Sequence, residues 1–289
     1  MTQLPRGLPV QSTKNRLTAV FAMTTAYMLA EALGGVLTGS LALLADAVHM
    51  LTDAGALGLS LLAIRFAERP ATPQKTFGYL RAEILAAFIN ATALLLITGY
   101  ILHEAWRRFK SPPEVMSWPM LVIASLGLLV NLIGMRFLAG SAKRSLNFRV
   151  AYLEVLSDAL GSVGVIAASL IMLRTKWYLA DPIIGAAIGL VVVPRTWGLL
   201  KEAAHILLEG TPSRIDLLCV EGRMRGVPGV ADVHDLHAWT FTSGRDALAA
   251  RIVIEGQANS DRVLRSLQSL LKREFGIEHT TLQFGEYRV

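Results

Sequence analysis

Residues 43 to 57 read LLADAVHMLTDAGAL and carry Asp46, His49 and Asp53 inside a long apolar run. A second apolar run holds AYLEVLSDALGSVGV, with Glu154 and Asp158. His49 and Asp53 stand at i and i+4, and so do Glu154 and Asp158. On a helix that spacing puts both side chains of a pair on one face, one turn apart. Facing each other, the two pairs offer one imidazole and three carboxylates, a ligand set that suits a divalent transition metal. An ionisable group in a membrane span costs about 2.5–3.5 kcal/mol on insertion scales and marks a functional site by default. No lysine or arginine is assigned to the middle of a span. Three carboxylates without a protein cation must then bind protons or a metal.

Other polar groups within the runs have milder readings. Asp46 lies on a neighbouring face and serves either as an acceptor for the His49 imidazole or in helix packing. Glu31 and Asn131 either line a path or satisfy backbone groups. His103 and Glu104 fall at the membrane interface. Small residues in GGVLTGS and GSVGVIAAS permit close helix contact.

The elements that must position these residues are membrane spans. The chain has 289 residues, 53% hydrophobic and 17% charged, where soluble domains carry about 25% charged residues. Its apolar residues fall into blocks roughly as long as a bilayer is thick: 16–36, 41–66, 82–105, 117–138, 150–173 and 178–200. The opening MTQLPRGLPVQSTKN has no apolar core of a signal peptide. Six spans put both termini on one side. With the termini inside, the inner segments hold eleven basic residues and the outer loops five, so the charge bias makes both termini cytoplasmic. The net charge of +6 therefore speaks to orientation, and no nucleic-acid partner is expected. Cys219 is the single cysteine, which excludes an intrachain disulfide and a four-cysteine metal site.

After residue 208 the pattern changes. TPSRIDLLCVEGRMRGVPGV reads as an amphipathic helix, and ADVHDLHAWTFT and ALAARIVIEG as two strands joined at SGRD. SDRVLRSLQSLLKREFG reads as a helix capped by Ser260 and stopped by Gly276, and IEHTTLQFGEYRV as a last strand. The expected fold is an α-helical membrane protein: a six-helix transmembrane bundle with a C-terminal αββαβ cytoplasmic domain. The expected divisions are an N-terminal cytoplasmic segment 1–15, a transmembrane domain 16–208 and a cytoplasmic domain 209–289.

GSLALLADAVHMLTDA, SLNFRVAYLEVLSDALGSVG and VHDLHAWTFTSG, in that order, resemble the cation diffusion facilitators of the zinc/cobalt/cadmium efflux branch. That resemblance implies a homodimer in the inner (plasma) membrane with a metallochaperone-like tail. It implies a divalent metal/proton antiporter that exports zinc foremost, with cobalt, cadmium, iron or manganese as other cargoes. The metal is substrate; no cofactor is expected. Carried over, the transported-ion site is His49, Asp53, Glu154 and Asp158. Relatives usually have histidine where this chain has Glu154, which makes the site harder and favours manganese, iron(II) or cobalt relative to a two-histidine site. In the tail, His234, His237 and His279 are second-rank ligands. Arg251 stands where the family often has a further histidine, and Gly285 where it often has an acid.

In the expected cycle an inward-facing site loses protons and binds metal, and outside protons then displace the metal. Because the ligands must be deprotonated to bind, affinity depends on pH, and the acids and imidazole titrate as a set. An enzyme is not expected, since no HExxH helix occurs. A membrane metal sensor signalling through its tail is the alternative.

Overall fold

The computed structural model describes residues 10–52, 55, 71–142, 146–242, 244–256 and 258–285; for residues 10–21, 140–142 and 146–151 only the backbone is described. The N-terminal segment up to residue 9, the end of the second apolar block, Asp53, part of the loop after it and residues 286–289 lie outside the described residues.

Six helices come first: α1 (Val10–Thr38), α2 (Leu41–Thr52 as far as described), α3 (Ala82–Lys110), α4 (Ser117–Ala142), α5 (Leu146–Thr175) and α6 (Ala180–Leu207). Among the described residues, α3, most of α4, most of α5 and α6 are each long and apolar enough to cross a membrane. They turn large apolar side chains outward, with Leu96 70% exposed, Leu160 65% and Val191 66%. Such surface is stable only against lipid or another protein. With the shorter α2 and with α1, these helices form the bundle expected of a multi-pass membrane protein.

By compactness the chain divides into two units, one from Met1–Gly58 and Asn90–Gly198, the other from Leu59–Ile89 and Leu199–Val289. In the first, a small-residue core holds Ala42 and Leu43 against Ala124, Val165, Ala168 and Met172. The turn between α1 and α2 is tight because Gly39 takes φ 72°, a conformation that costs glycine nothing. The start of α2 is held from α6. Asp181, fully buried in the first turn of α6, accepts from the Leu41 N–H at 2.8 Å, the Ala42 N–H at 3.1 Å and the Ser40 hydroxyl at 2.6 Å. The two N–H groups are among the backbone donors that a helix start leaves without intrahelical partners. Arg108 of α3 joins them, donating to Gly39 O at 2.6 Å and to Asp181 Oδ2 at 3.4 Å. One turn on, Gly185 lets α6 approach the Leu41 backbone, where a Cβ would come within 3.1 Å.

The second unit contains the tail: α7 (Leu217–Arg225), β1 (Val230–Thr242), β2 (Arg245–Ile254), α8 (Ser260–Phe275) and β3 (His279–Phe284). The order is αββαβ, as expected from the pattern. β1 pairs antiparallel with β2, and β2 parallel with β3. The β1–β2 hairpin closes with Thr242 opposite Arg245 and Gly244 at φ 76°. Val263, Leu267 and Leu271 recur every four residues along α8 and bury one stripe against Val220, Met224, Leu248 and Ile252. One boundary differs from expectation. The N-cap of α8 is Asn259, whose side chain accepts from the Arg262 N–H at 3.0 Å, so Ser260 is the first helical residue. Gly276, at φ 69°, ends the helix as expected.

Candidate metal transport site

The anchored start of α2 fixes the rotation of His49, nine residues beyond Ser40. Across from it, α5 presents Asp158. The His49 Nε2 lies 3.8 Å from Asp158 Oδ1, and both residues are buried, at 8% and 5% exposure. Two ligands on one tetrahedral zinc stand roughly 3.4 Å apart, given metal–ligand bonds of about 2.0–2.2 Å. The pair is therefore close to bridging geometry. The Ser157 hydroxyl stands 3.3 Å from the same nitrogen and can steer the ring.

Glu154 is turned differently. One carboxylate oxygen lies 3.4 Å from Nη2 of Arg195 on α6. The expectation that no basic residue would meet the acids is thereby corrected: Arg195 sits within the sixth apolar block, directly after Pro194, and pairs with a predicted ligand. The signal is legible in VVVPRTWG, since an arginine inside an apolar block needs an acidic partner as much as an acid needs a basic one. Proline also removes a helix N–H at that point and leaves the carbonyl four residues earlier without its usual donor. Asp53 lies outside the described residues. Among the described residues, no group of three or more His, Cys, Asp or Glu side chains is gathered as a metal cluster.

Glu31 and Asp46 are fully buried, and they face each other rather than His49. Glu104 forms ion pairs with Arg107 at 3.0 Å and Arg108 at 3.1 Å, so its role is structural.

The three tail histidines have separate neighbours. His234 Nε2 is 2.9 Å from Asp232, and His237 Nε2 is 2.8 Å from Asp235. The Val233 backbone N–H, which donates to Asp232, holds that carboxyl below its ordinary pKa, and His237 does the same for Asp235. Both stay charged near neutral pH and keep their histidines engaged. Arg251 stands opposite His234 in the β1–β2 register and also pairs with Asp235 at 3.4 Å. His279, on β3, meets the rings of Phe77 and Phe241 edge-on, each at 5.5 Å between centroids. Its aromatic surroundings suit packing better than ligation.

Comparison with known proteins gives this arrangement its context. The cation efflux transmembrane domain matches residues 17–208, and the cytoplasmic domain of cation efflux proteins matches residues 212–287. The cation efflux system protein CzcD of Alcaligenes sp. (strain CT14) is 49% identical over 269 residues, 93% of this chain and 85% of its own. The cadmium, cobalt and zinc/H(+)-K(+) antiporter of Bacillus subtilis (strain 168) is 44% identical over 275 residues, 93% of this chain and 88% of its own. The zinc transporter ZitB of Escherichia coli (strain K12) is 43% identical over 283 residues, 97% of this chain and 90% of its own. Among solved structures, the metal-bound C-terminal domain of the CzcD transporter from Cuprividus metallidurans is 38% identical, covering 25% of this chain and 100% of that one at a TM-score of 0.24. With both of its domains matched in sequence order over most of its length, the chain belongs to the cation efflux family, the cation diffusion facilitators.

Proposed function

We propose that the protein exports divalent transition metal, zinc foremost, from the cytoplasm in exchange for protons. The observation that carries this reading is the buried His49–Asp158 pair, contributed by two separate helices at 3.8 Å. The names of the relatives point the same way: cation efflux, zinc transport, and cadmium, cobalt and zinc antiport with protons. Asp53, four residues after His49 in the sequence, completes the proposed ligand set with Glu154. Glu154 pairs with Arg195 at 3.4 Å, so a metal taking Glu154 as a ligand has to compete with that ion pair. An internal cation beside the site offsets part of its negative charge and weakens its hold on metal, which helps release. We place the divisions at 1–15, 16–208 and 209–289, with both termini cytoplasmic, the bundle in the inner membrane, and the tail joining two copies in a homodimer. In the tail, His234, His237 and His279 form a second-rank ligand set, with His279 the least suited because it packs against Phe77 and Phe241.

Purified protein in liposomes loaded with a zinc-sensitive dye tests the function. Added zinc should brighten the dye only in protein-containing vesicles, and an imposed proton gradient should speed the change. A dye that stays dark under every gradient would end the exporter reading and favour a sensor.

Glu154→His probes selectivity. The substitution restores a second imidazole and removes the partner of Arg195, so the preference for zinc over manganese should rise by about tenfold, the scale on which outer groups tune metal sites. Competition uptake with the two metals measures it. An unchanged ratio would place selectivity outside Glu154.

A further inference from the structure

A second polar layer lies one helical turn from His49 and Asp158, toward the α1–α2 turn at Gly39. It is made by Tyr27 and Glu31 of α1, Asp46 of α2 and Ser162 of α5. Asp46 precedes His49 by three residues, and Ser162 follows Asp158 by four. Glu31 and Ser162 are 0% exposed and Asp46 is 1% exposed. The Tyr27 hydroxyl donates to Glu31 Oε1 at 2.9 Å. The other Glu31 oxygen, both Asp46 oxygens and the Ser162 hydroxyl have no hydrogen-bond partner among the described residues. The Glu31 and Asp46 carboxyls are close enough to interact, and Ser162 faces Tyr27.

Two glycines shape the space. A Cβ on Gly161 of α5 would stand 2.5 Å from Asp46 Oδ1, and a Cβ on Gly127 of α4 would stand 1.9 Å from the Tyr27 oxygen. Both positions exclude any side chain and leave room for the polar groups. The titratable groups around the pair are Tyr27 from α1, Asp158 from α5 and, one turn along α2, His49; α4 supplies the uncharged Asn131 to the buried interior. Neither carboxyl has a basic partner among the described residues.

Two ionised carboxylates so placed would repel each other and forgo hydration without return. One proton between them removes one charge and supplies the missing hydrogen bond. Zinc and other soft metals are disfavoured, because the layer offers two carboxylates and two hydroxyls but no nitrogen or sulfur donor, and its carboxylates and Ser162 are buried. We infer that Glu31 and Asp46 share one proton, held in a site separate from the metal ligands and retained while metal is bound. The occupancy of this site stands on the geometry of the layer. Its part in exchange, as a proton donor one turn from His49, rests on the proposed transport site.

Difference infrared spectroscopy on the full-length protein in lipid tests it. Zinc-saturated wild type at neutral pH should show the carbonyl stretch of a protonated carboxylic acid. The double variant Glu31→Gln with Asp46→Asn keeps the shape of both side chains and should lose that band. Each single variant should shift or remove it, because the bond that holds the proton changes partner. No such band in wild type, an undiminished band in the double variant, or an unmoved band in both single variants would overturn the inference. Calorimetric zinc titration of the same samples reads the transport site separately. Wild type that shows the band yet binds no zinc would refute the transport site and leave the shared proton standing.

Discussion

Asp158→Ala should abolish zinc-driven proton movement in reconstituted vesicles while leaving the folded protein intact. Among the described residues Asp158 is a buried carboxylate 3.8 Å from His49, and its removal takes one ligand from the proposed set of four. Loss of a group that only orients a metal ligand already costs 10–100-fold in affinity, so a direct ligand should cost roughly a hundredfold or more. The helix itself tolerates the change, because alanine is the best helix former and the substitution removes a buried acid rather than adding one. Vesicle pH recordings with wild type and variant at equal protein content decide the matter, with circular dichroism as the check on folding. Undiminished proton movement in well-folded Asp158→Ala would take α5 out of the transport site.

Asp181→Ala should produce a large loss of stability in the bundle. It strips acceptors from two backbone N–H groups and a hydroxyl, and it leaves Arg108, whose side chain is 15% exposed, without one of its two acidic partners. Breaking a buried charged contact by removing one side costs about 3–5 kcal/mol, and each orphaned donor adds to that. Glu104 still holds Arg108, which keeps the expected loss near the lower figure, about 3 kcal/mol. Asp181→Asn, which keeps an acceptor oxygen, should lose less. Thermal unfolding in detergent should separate the three proteins in the order wild type, Asn, Ala. Equal transitions for wild type and Asp181→Ala would mean that α6 does not hold the start of α2.

The pairing of His49 with Asp158 is legible from spacing alone, because polar residues at i and i+4 within an apolar run are costly unless they meet a common partner. The tail order αββαβ is equally open, since its periods of two and of three to four residues stand out against polar turns. The sequence is less informative where a partner is distant. The grip of Asp181 on Leu41 spans 140 positions and has no local signature. Arg195 is visible in the sixth apolar block, but its partner is not, because pairing depends on how α5 and α6 are rotated. Glu31 and Asp46 each read as ambiguous; only their shared burial behind Gly161 and Gly127 makes them one layer. Residue type favours Ser260 as a cap, but Asn259, an equally good capping type, stands one position earlier.

Among the described residues, β1 and β3 form the two edges of the tail sheet. β1 is long, but its ladder to β2 is interrupted at three places, including the stretch between His234 and His237 where Asp235 takes φ 52°. β3 is only six residues long. Interrupted or short border strands are poor templates for the addition of another chain. Two copies crowded together at a membrane surface must then meet through side-chain surfaces rather than by a continuous ribbon of hydrogen bonds. That keeps such an encounter from running on into aggregation.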